Sequence, residues 1–332
     1  MKTKLAEAEG LWRACFDDEA EFVRFYFDRV AREEEIYLYE AEGKSVAHIH
    51  APRYVIRGGV GEAFYVSGAC TLSSHRGRGI MHELMVRTMR EEYAKGRVAA
   101  LLIPADEELR LYYAQHFGFV TNNYRYEISS LAGMGGFGRY ISPKEYIDDA
   151  GEYDVEQYVS VALRGYSDAG IDHTRAQVAN VFAEYVRWGR VLVVADEVGE
   201  LRCVALCRED ERVFCVDALL GDEPWRLEGR LPKDKELRIT LPNRQSSSSL
   251  RCIPRGMVRP LNLMAYTRQR AEQAGAEVSF SWVDDIIPQN TGTYTIEGGQ
   301  LRYQSELLHE PLSSEALVRL LVGEYWMGLL HD

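Results

Sequence analysis

The chain has 332 residues, 46% of them hydrophobic and 27% charged, and a net charge of -12. That length is enough for two or three domains with a packed core that needs no staple. The acidic balance excludes non-specific nucleic-acid binding, which needs clustered cations, and suits a cationic small molecule or basic peptide as ligand. No stretch approaches the ~20 apolar residues of a membrane span, and the N-terminus turns acidic before a signal-like apolar run appears. The expectation is a cytoplasmic chain with no membrane and no nucleic-acid partner. Cys15, Cys70, Cys203, Cys207, Cys215 and Cys252 are scattered without zinc-site spacing, and Cys203 and Cys207, in an apolar strand-like run, read as buried thiols with no metal.

In chain order, Asp17-Asp18-Glu19-Ala20 opens an amphipathic helix carrying Phe22, Phe25, Tyr26 and Val30. Ile36–Tyr39 and Val46–His50 read as strands around the turn Glu42-Gly43-Lys44, and Gly58-Gly59 breaks the next extended segment. Phe64–Leu72 reads as one long strand containing Gly68, and a glycine there marks a bulge or a close backbone approach. After Ser73-Ser74-His75-Arg76-Gly77-Arg78-Gly79 a helix runs from Ile80 to Lys95, with an apolar stripe of Leu84, Met85 and Met89. Val98–Ile103 is a strand ended by Pro104, a short helix covers Glu107–His116, and Phe119–Ile128 is extended. The glycine-rich stretch Leu131–Arg139 reads as a linker.

Helices are then expected near Glu152–Leu163 and Ala176–Trp188. Strands follow at Val191–Ala195, Leu201–Leu206 and Val213–Leu219. This repeats the helix-then-strand order of the first third and reads as a second, degenerate copy. Ser246–Ser249 is a polar loop. The last part has a helix near Leu261–Gln273, strands at Val278–Val283, Gly292–Ile296 and Leu301–Gln304, and a helix from Ser314 to Leu321.

The unit that carries chemistry is strand, Arg76-x-x-Gly79, helix. A helix N-terminus offers unpaired N–H groups and partial positive charge. Gly77 and Gly79 let a phosphate approach the backbone, while Arg76 and Arg78 add charged donors. No Gly-Lys-Ser/Thr closes the loop as in a Walker motif, and no GxGxxG opens it as in a dinucleotide fold.

Arg76-Gly77-Arg78-Gly79-Ile80-Met81 resembles the Q/R-x-x-G-x-G/A signature of the GCN5-related N-acetyltransferases, or GNAT family. Tyr112-Tyr113-Ala114-Gln115-His116-Phe117-Gly118-Phe119 is similar to that family's aromatic-Tyr-x-x-x-Gly-Phe segment. The likeness spans roughly residues 10 to 130 and implies an α/β (α+β) GNAT fold with a mixed twisted sheet. It implies a bulged strand that splays from its neighbour and holds the pantetheine of acetyl-CoA against Ala69, Thr71 and Leu72. The pyrophosphate would meet the N–H groups of Arg76, Gly77, Arg78, Gly79, Ile80 and Met81. An acceptor amine would then attack the thioester directly, with a tyrosine as acid. Met81 stands where the family has Gly or Ala, and Ala114 stands where the acid Tyr falls, so the acid is assigned to the adjacent Tyr113.

The whole chain resembles the enhanced intracellular survival proteins. That likeness implies an acetyl-CoA-binding domain at 1–130, a degenerate GNAT-like domain at 140–245 and a sterol-carrier-protein-like domain at 250–332. Met257–Leu261, Trp282–Asn290 and the Ser314 helix carry the last part. Arg226-x-x-Gly229 lies outside a strand–helix junction, so the middle segment is read as having no cofactor site. In this family the C-terminal carboxylate serves as base, here Asp332, while Glu62, Glu127, His75 or a water relay are other candidates. The expected activity is acetyl transfer from acetyl-CoA to a primary amine, whether an aminoglycoside-like polyamine, a protein Lys or a small metabolite. A catalytically weak CoA- or hydrophobic-ligand-binding module is the alternative, and a homo-oligomer is left open.

Overall fold

The computed structural model describes residues 3–56, 60–130, 147–149, 155–164, 170–196, 198–221, 227, 231–241, 250–273, 275–323 and 327. Gly58-Gly59, the linker 131–139, Arg226-x-x-Gly229, Ser246–Ser249 and Asp332 lie outside the described residues. The chain divides into two compact units. One combines Met1–Asn122 with Arg255–Glu324, and the other is built on Asn123–Pro254.

The first unit opens with helix α1 (Lys4–Cys15), which sequence patterning did not reveal. Thr3 caps it by accepting the N–H of Ala6, and it buries only Ala8, Leu11 and Trp12. So few apolar residues among charged ones give a weak periodic signal. Helix α2 (Ala20–Phe25) passes into a π-helical turn, Tyr26–Val30. The hairpin β1 (Ile36–Ala41) and β2 (Lys44–His50) turns at Glu42 and Gly43, both with positive φ. Strands β3 (Arg53–Ile56), β4 (Gly61–Tyr65) and β5 (Ser67–Thr71) follow, then α3 (Ile80–Ala94), β6 (Ala99–Leu102), α4 (Glu107–Phe117) and the short β7 (Val120–Thr121).

The single strand expected at Phe64–Leu72 is two strands in two sheets. Strand β4 runs parallel to β6, with Ala63 opposite Ala99 and Tyr65 opposite Leu101. The last link is Val66 N–H to the Leu101 carbonyl at 2.8 Å. From Ser67 on, the chain leaves β6 and pairs antiparallel with β2, and β5 is the edge of the sheet β1-β2-β5. Gly68, at φ +55°, sits at a register shift between His48 and His50, so the glycine marks a bulge.

The second unit contains β8 (Tyr124–Ile128), β9 (Ile147–Asp149), α5 (Val155–Arg164), β10 (Ile171–Asp172), α6 (Arg175–Trp188), β11 (Arg190–Ala195), β12 (Leu201–Glu209), β13 (Val213–Gly221), β14 (Glu236–Leu241) and β15 (Arg251–Pro254). Its sheet has the order β15-β8-β14-β13-β12-β11-β9. One core joins Tyr158 and Phe182 of α5 and α6 to Val193 and Val204. A second joins Val194 and Cys203 to Phe214 and Ile239. Cys203 and Cys207 are fully buried, and the described residues hold no group of side chains arranged for a metal.

The chain then returns to the first unit with β16 (Met257–Pro260), α7 (Leu263–Ala271), β17 (Val278–Trp282), β18 (Gly292–Glu297), β19 (Gln300–Gln304) and α8 (Ser314–Leu321). Strand β16, unforeseen as a strand, inserts between β6 and β7, antiparallel to both. Met257 and Leu261 enter the core that Leu84, Met85 and Met89 of α3 form against Phe64, Ala100 and Leu102. Buried Arg259 reaches Asp284 at 2.6 Å, so the segments 257–261 and 282–290 meet through an ion pair. Met257, Leu261, Ile286 and Ile287 therefore share one core with the N-terminal elements.

Candidate functional site

The loop after β5 is a helix start left open. Helix α3 has Gly79 as its N-terminal flanking residue, at φ +74°, and no side chain caps it. Gly77 is also left-handed, at φ +72°. A Cβ added at either glycine would meet nothing within 4 Å. Conformation and approach space require glycine here, and packing does not. The cationic side chains fold back to brace the loop. Arg76 Nε donates to the Thr71 carbonyl and Arg78 Nη2 to the Ser74 carbonyl, each at 3.0 Å. A guanidinium has five N–H donors, so each retains others for a ligand.

A cavity of about 420 Å³ opens over this loop. Thr71, Arg76, Gly77, Gly79, Ile80 and Met81 line it, together with His75, His82, Tyr112 and His116. Ala69, Leu72 and Arg78, also expected at the site, lie on the same strand and loop but not on the cavity wall. Met81 contributes its half-buried side chain to the wall and to the core beneath. The Thr71 Oγ1 is buried with no hydrogen-bond partner among the described residues. Such an orphaned hydroxyl is costly unless a ligand group meets it.

The far wall comes from α4. Tyr112 and His116 lie one helical turn apart with ring centroids 4.7 Å apart. His116 is edge-on to His82 at 6.2 Å, and His82 stacks on Phe117 at 5.1 Å. Sequence reasoning missed His82 and His116. Their only signal was the phase of two helices that both point at the loop, and that phase is not visible before the helices are docked. Tyr113 is turned from the cavity wall and packs on Phe117 and Phe119 at 6.2 and 5.9 Å. Burial, then the neighbouring Tyr112, pushes its phenol up to about 12. Tyr112 is raised less, by burial.

The candidate bases differ in surroundings. His75 lines the cavity, with Nδ1 2.9 Å from the Ser74 hydroxyl. Glu62, on β4, pairs with Arg97. Glu127 is buried in the second unit's sheet, 2.8 Å from Arg125.

The arrangement fits an anionic ligand with an extended arm. Open N–H groups and two arginines mark the anion end. The β5 edge, which has no second strand partner among the described residues, marks the arm beside the gap where it leaves β6.

Residues 2–120 match the family model described as an acetyltransferase (GNAT) domain. No curated protein matches the chain. Among solved structures, a probable N-acyltransferase from Enterococcus faecalis V583 superposes with a TM-score of 0.70 at 13% identity. The match covers 92% of this chain and 83% of that one. Eis1 from Mycobacterium abscessus gives a TM-score of 0.69 at 14% identity, covering 94% and 85%. A GCN5-related N-acetyltransferase from Kribbella flavida gives 0.64 at 17% identity, covering 92% and 81%. The chain thus has a mixed α/β GNAT fold with an acetyltransferase-type N-terminal domain and a second sheet-rich unit.

Proposed function

We propose that the chain binds acetyl-CoA on the Arg76–Met81 loop and transfers its acetyl group to a primary amine. The observation that carries this is the uncapped, double-glycine start of α3 at the end of an open-edged strand. In this reading the N–H groups of 76–81 hold the pyrophosphate, Thr71 Oγ1 gains a partner, and the pantetheine pairs with the free edge at Ala69 and Thr71, reaching Leu72 at the loop. Bound acetyl-CoA supplies the thioester, whose C–S bond breaks as the amine nitrogen forms the new C–N bond. The thiolate then takes a proton from a tyrosine, and the ammonium proton must pass to a base.

Tyr113 is the proposed acid, and its raised phenol stays protonated at neutral pH. Tyr112 is the second reading, because it stands on the cavity wall. Tyr113→Phe should lower kcat by roughly 100-fold with the KM for acetyl-CoA little changed. The same loss in Tyr112→Phe alone reverses the assignment. Asp332 is the proposed terminal base through the chain's C-terminal carboxylate, and amidation of that carboxylate should lower kcat on a polyamine.

An aminoglycoside-like polyamine, a protein Lys or a small metabolite amine as acceptor, a cytoplasmic location and a homo-oligomer belong to the same proposal. So do a degenerate GNAT-like middle segment at 140–245 and a sterol-carrier-like segment at 250–332. Vesicle or sterol binding that is lost on mutation of the β17–β19 sheet would support the last.

The rival reading is a CoA-binding module without turnover, favoured by Ala114 and by the core packing of Tyr113. A thiol-release assay across an amine panel, run beside thermal shift with CoA, separates the two. Turnover supports the enzyme, a raised Tm without turnover supports the module, and no CoA effect at all overturns both.

A further inference from the structure

A chain of buried polar groups begins where β5 leaves β6. Ser67 is the first residue of β5, with 8% of its surface exposed. Its Oγ is 2.8 Å from the hydroxyl of Tyr26, which opens the π-helical turn. The Tyr26 hydroxyl is 2.7 Å from Nδ1 of His50. His50 Nε2 is 3.4 Å from Glu35 Oε2, and the other carboxylate oxygen accepts from Arg53 Nε at 3.3 Å. Tyr26, His50 and Glu35 are buried, whereas the Arg53 side chain is 46% exposed. The chain therefore runs from the mouth of the splay to a solvent-facing ion pair. Nothing in the anion cradle uses it.

We infer that Ser67, Tyr26, His50 and Glu35 form a proton relay that removes the proton of the acceptor amine. The inference rests on the acetyl-transfer reading and names a proton acceptor inside the fold in place of Asp332. Position supports it. At about 3.3 Å per residue, the five steps from Leu72 back to Ser67 span about 16 Å, the reach of an extended pantetheine arm. With the pyrophosphate at the loop, the thioester lies near Ser67.

The protons balance in one direction. The ammonium N–H breaks as Ser67 Oγ takes its proton, and the Ser67 hydroxyl proton passes to the Tyr26 oxygen. The Tyr26 proton passes to His50 Nδ1. The imidazolium formed keeps its Nε2–H toward Glu35, which stays ionised. This requires resting His50 to carry its proton on Nε2.

The groups facing His50 suit that end state. Burial pushes Glu35 up, but its contacts with His50 and Arg53 outweigh burial and hold it below the usual carboxylate range. His48, on the same strand, is pushed down to about 3 by burial and by His50, so it stays neutral and does not compete. Trp12 packs on both Tyr26, at 4.7 Å, and His48, at 6.1 Å, and contributes no charge.

The test compares two acceptors, an alkyl diamine and an aminooxyalkane of the same length, which is already neutral at assay pH. Tyr26→Phe keeps the ring on Trp12 and removes only the hydroxyl; His50→Gln keeps a polar group that cannot bind a proton. Each should slow the diamine by roughly 100-fold and the aminooxy compound by less than about 2-fold, because only the diamine must lose a proton first. CoA affinity, measured alongside, should hold for Tyr26→Phe, and Tm should fall by only the few degrees that the lost buried hydrogen bonds cost. Nitrogen-15 NMR of labelled histidine should show Nε2–H and a bare Nδ1 on His50 in the unmutated protein. Equal losses on both acceptors, no loss on the diamine, or the opposite tautomer would overturn the relay alone. An unmutated protein inactive on both acceptors overturns the acetyl-transfer reading, and the relay's purpose with it.

Discussion

Gly68 and Gly79 share a backbone conformation and differ in what surrounds them. Both have positive φ, +55° and +74°. A Cβ at Gly68 would run into the Trp12 ring, with Cε3 2.7 Å away, whereas a Cβ at Gly79 meets nothing within 4 Å. The first glycine therefore serves the fold, because it lets α1 close against the bulge that bends β5 away from β6. The second leaves room for something the chain does not itself supply. Left-handed glycines over open space also occur at turns such as Gly43, so what sets Gly79 apart is that it opens an uncapped helix.

The comparison breaks first at Gly68. Gly68→Ala adds left-handed strain and overpacking, together roughly 2–5 kcal/mol, and urea unfolding should show it. Trp12→Leu in the same chain should recover part of the loss by vacating the space, and a strictly additive pair would mean that the ring contact does not set the cost.

At Gly79 the expected losses are reversed. Gly79→Asp should cost only about 1–2 kcal/mol of stability, but it places a carboxylate where the proposed function puts the pyrophosphate. CoA affinity should fall at least ~100-fold, about 2.7 kcal/mol. Gly79→Asn, which tolerates the left-handed region and carries no charge, should lose clearly less. Isothermal titration measures both. If aspartate and asparagine weaken binding equally, the loop holds no anion.

Much of this contrast was legible in the sequence, and the illegible part has physical causes. The glycines, the arginines and the strand–loop–helix order are local, so Arg76–Met81 could be read directly. The split of Phe64–Leu72 could not, because both halves are extended and apolar, and only their partners, β6 and β2, differ. Strand β16 was missed because Met257–Pro260 is short and contains Arg259, whose charge is met by Asp284 far along the chain. The Ser67–Tyr26–His50–Glu35 chain draws on four separate elements, so no spacing rule joins it. Tyr113 and Tyr112 were separated only when α4 docked and set which ring faces the cavity.

His48 allows a test by pH. Its pKa of about 3 in the fold lies below the ordinary histidine value. The unfolded chain thus binds a proton that the fold refuses, and stability rises with pH from about 3 until the unfolded value near 6.5 is passed. Between about pH 5.5 and 4 the loss from this group should approach about 1.4 kcal/mol per pH unit. His48→Gln should flatten that slope in urea titrations. An unchanged slope would place the proton uptake elsewhere.

The smallest effect comes from the helix start that closes on itself. Thr174 caps α6 by accepting the Gln177 N–H at 3.2 Å, and the Gln177 side chain accepts the Thr174 N–H at 2.8 Å. Helix α3 has no such box. Thr174→Ala should cost about 1 kcal/mol of stability and nothing in CoA affinity. Conversely, CoA should stabilise the Thr174→Ala protein as much as the unmutated one, because its gain depends only on the ligand concentration relative to Kd. A Thr174→Ala protein that loses CoA affinity would mean that the two helix starts are energetically coupled, and that the α3 loop alone does not set the binding.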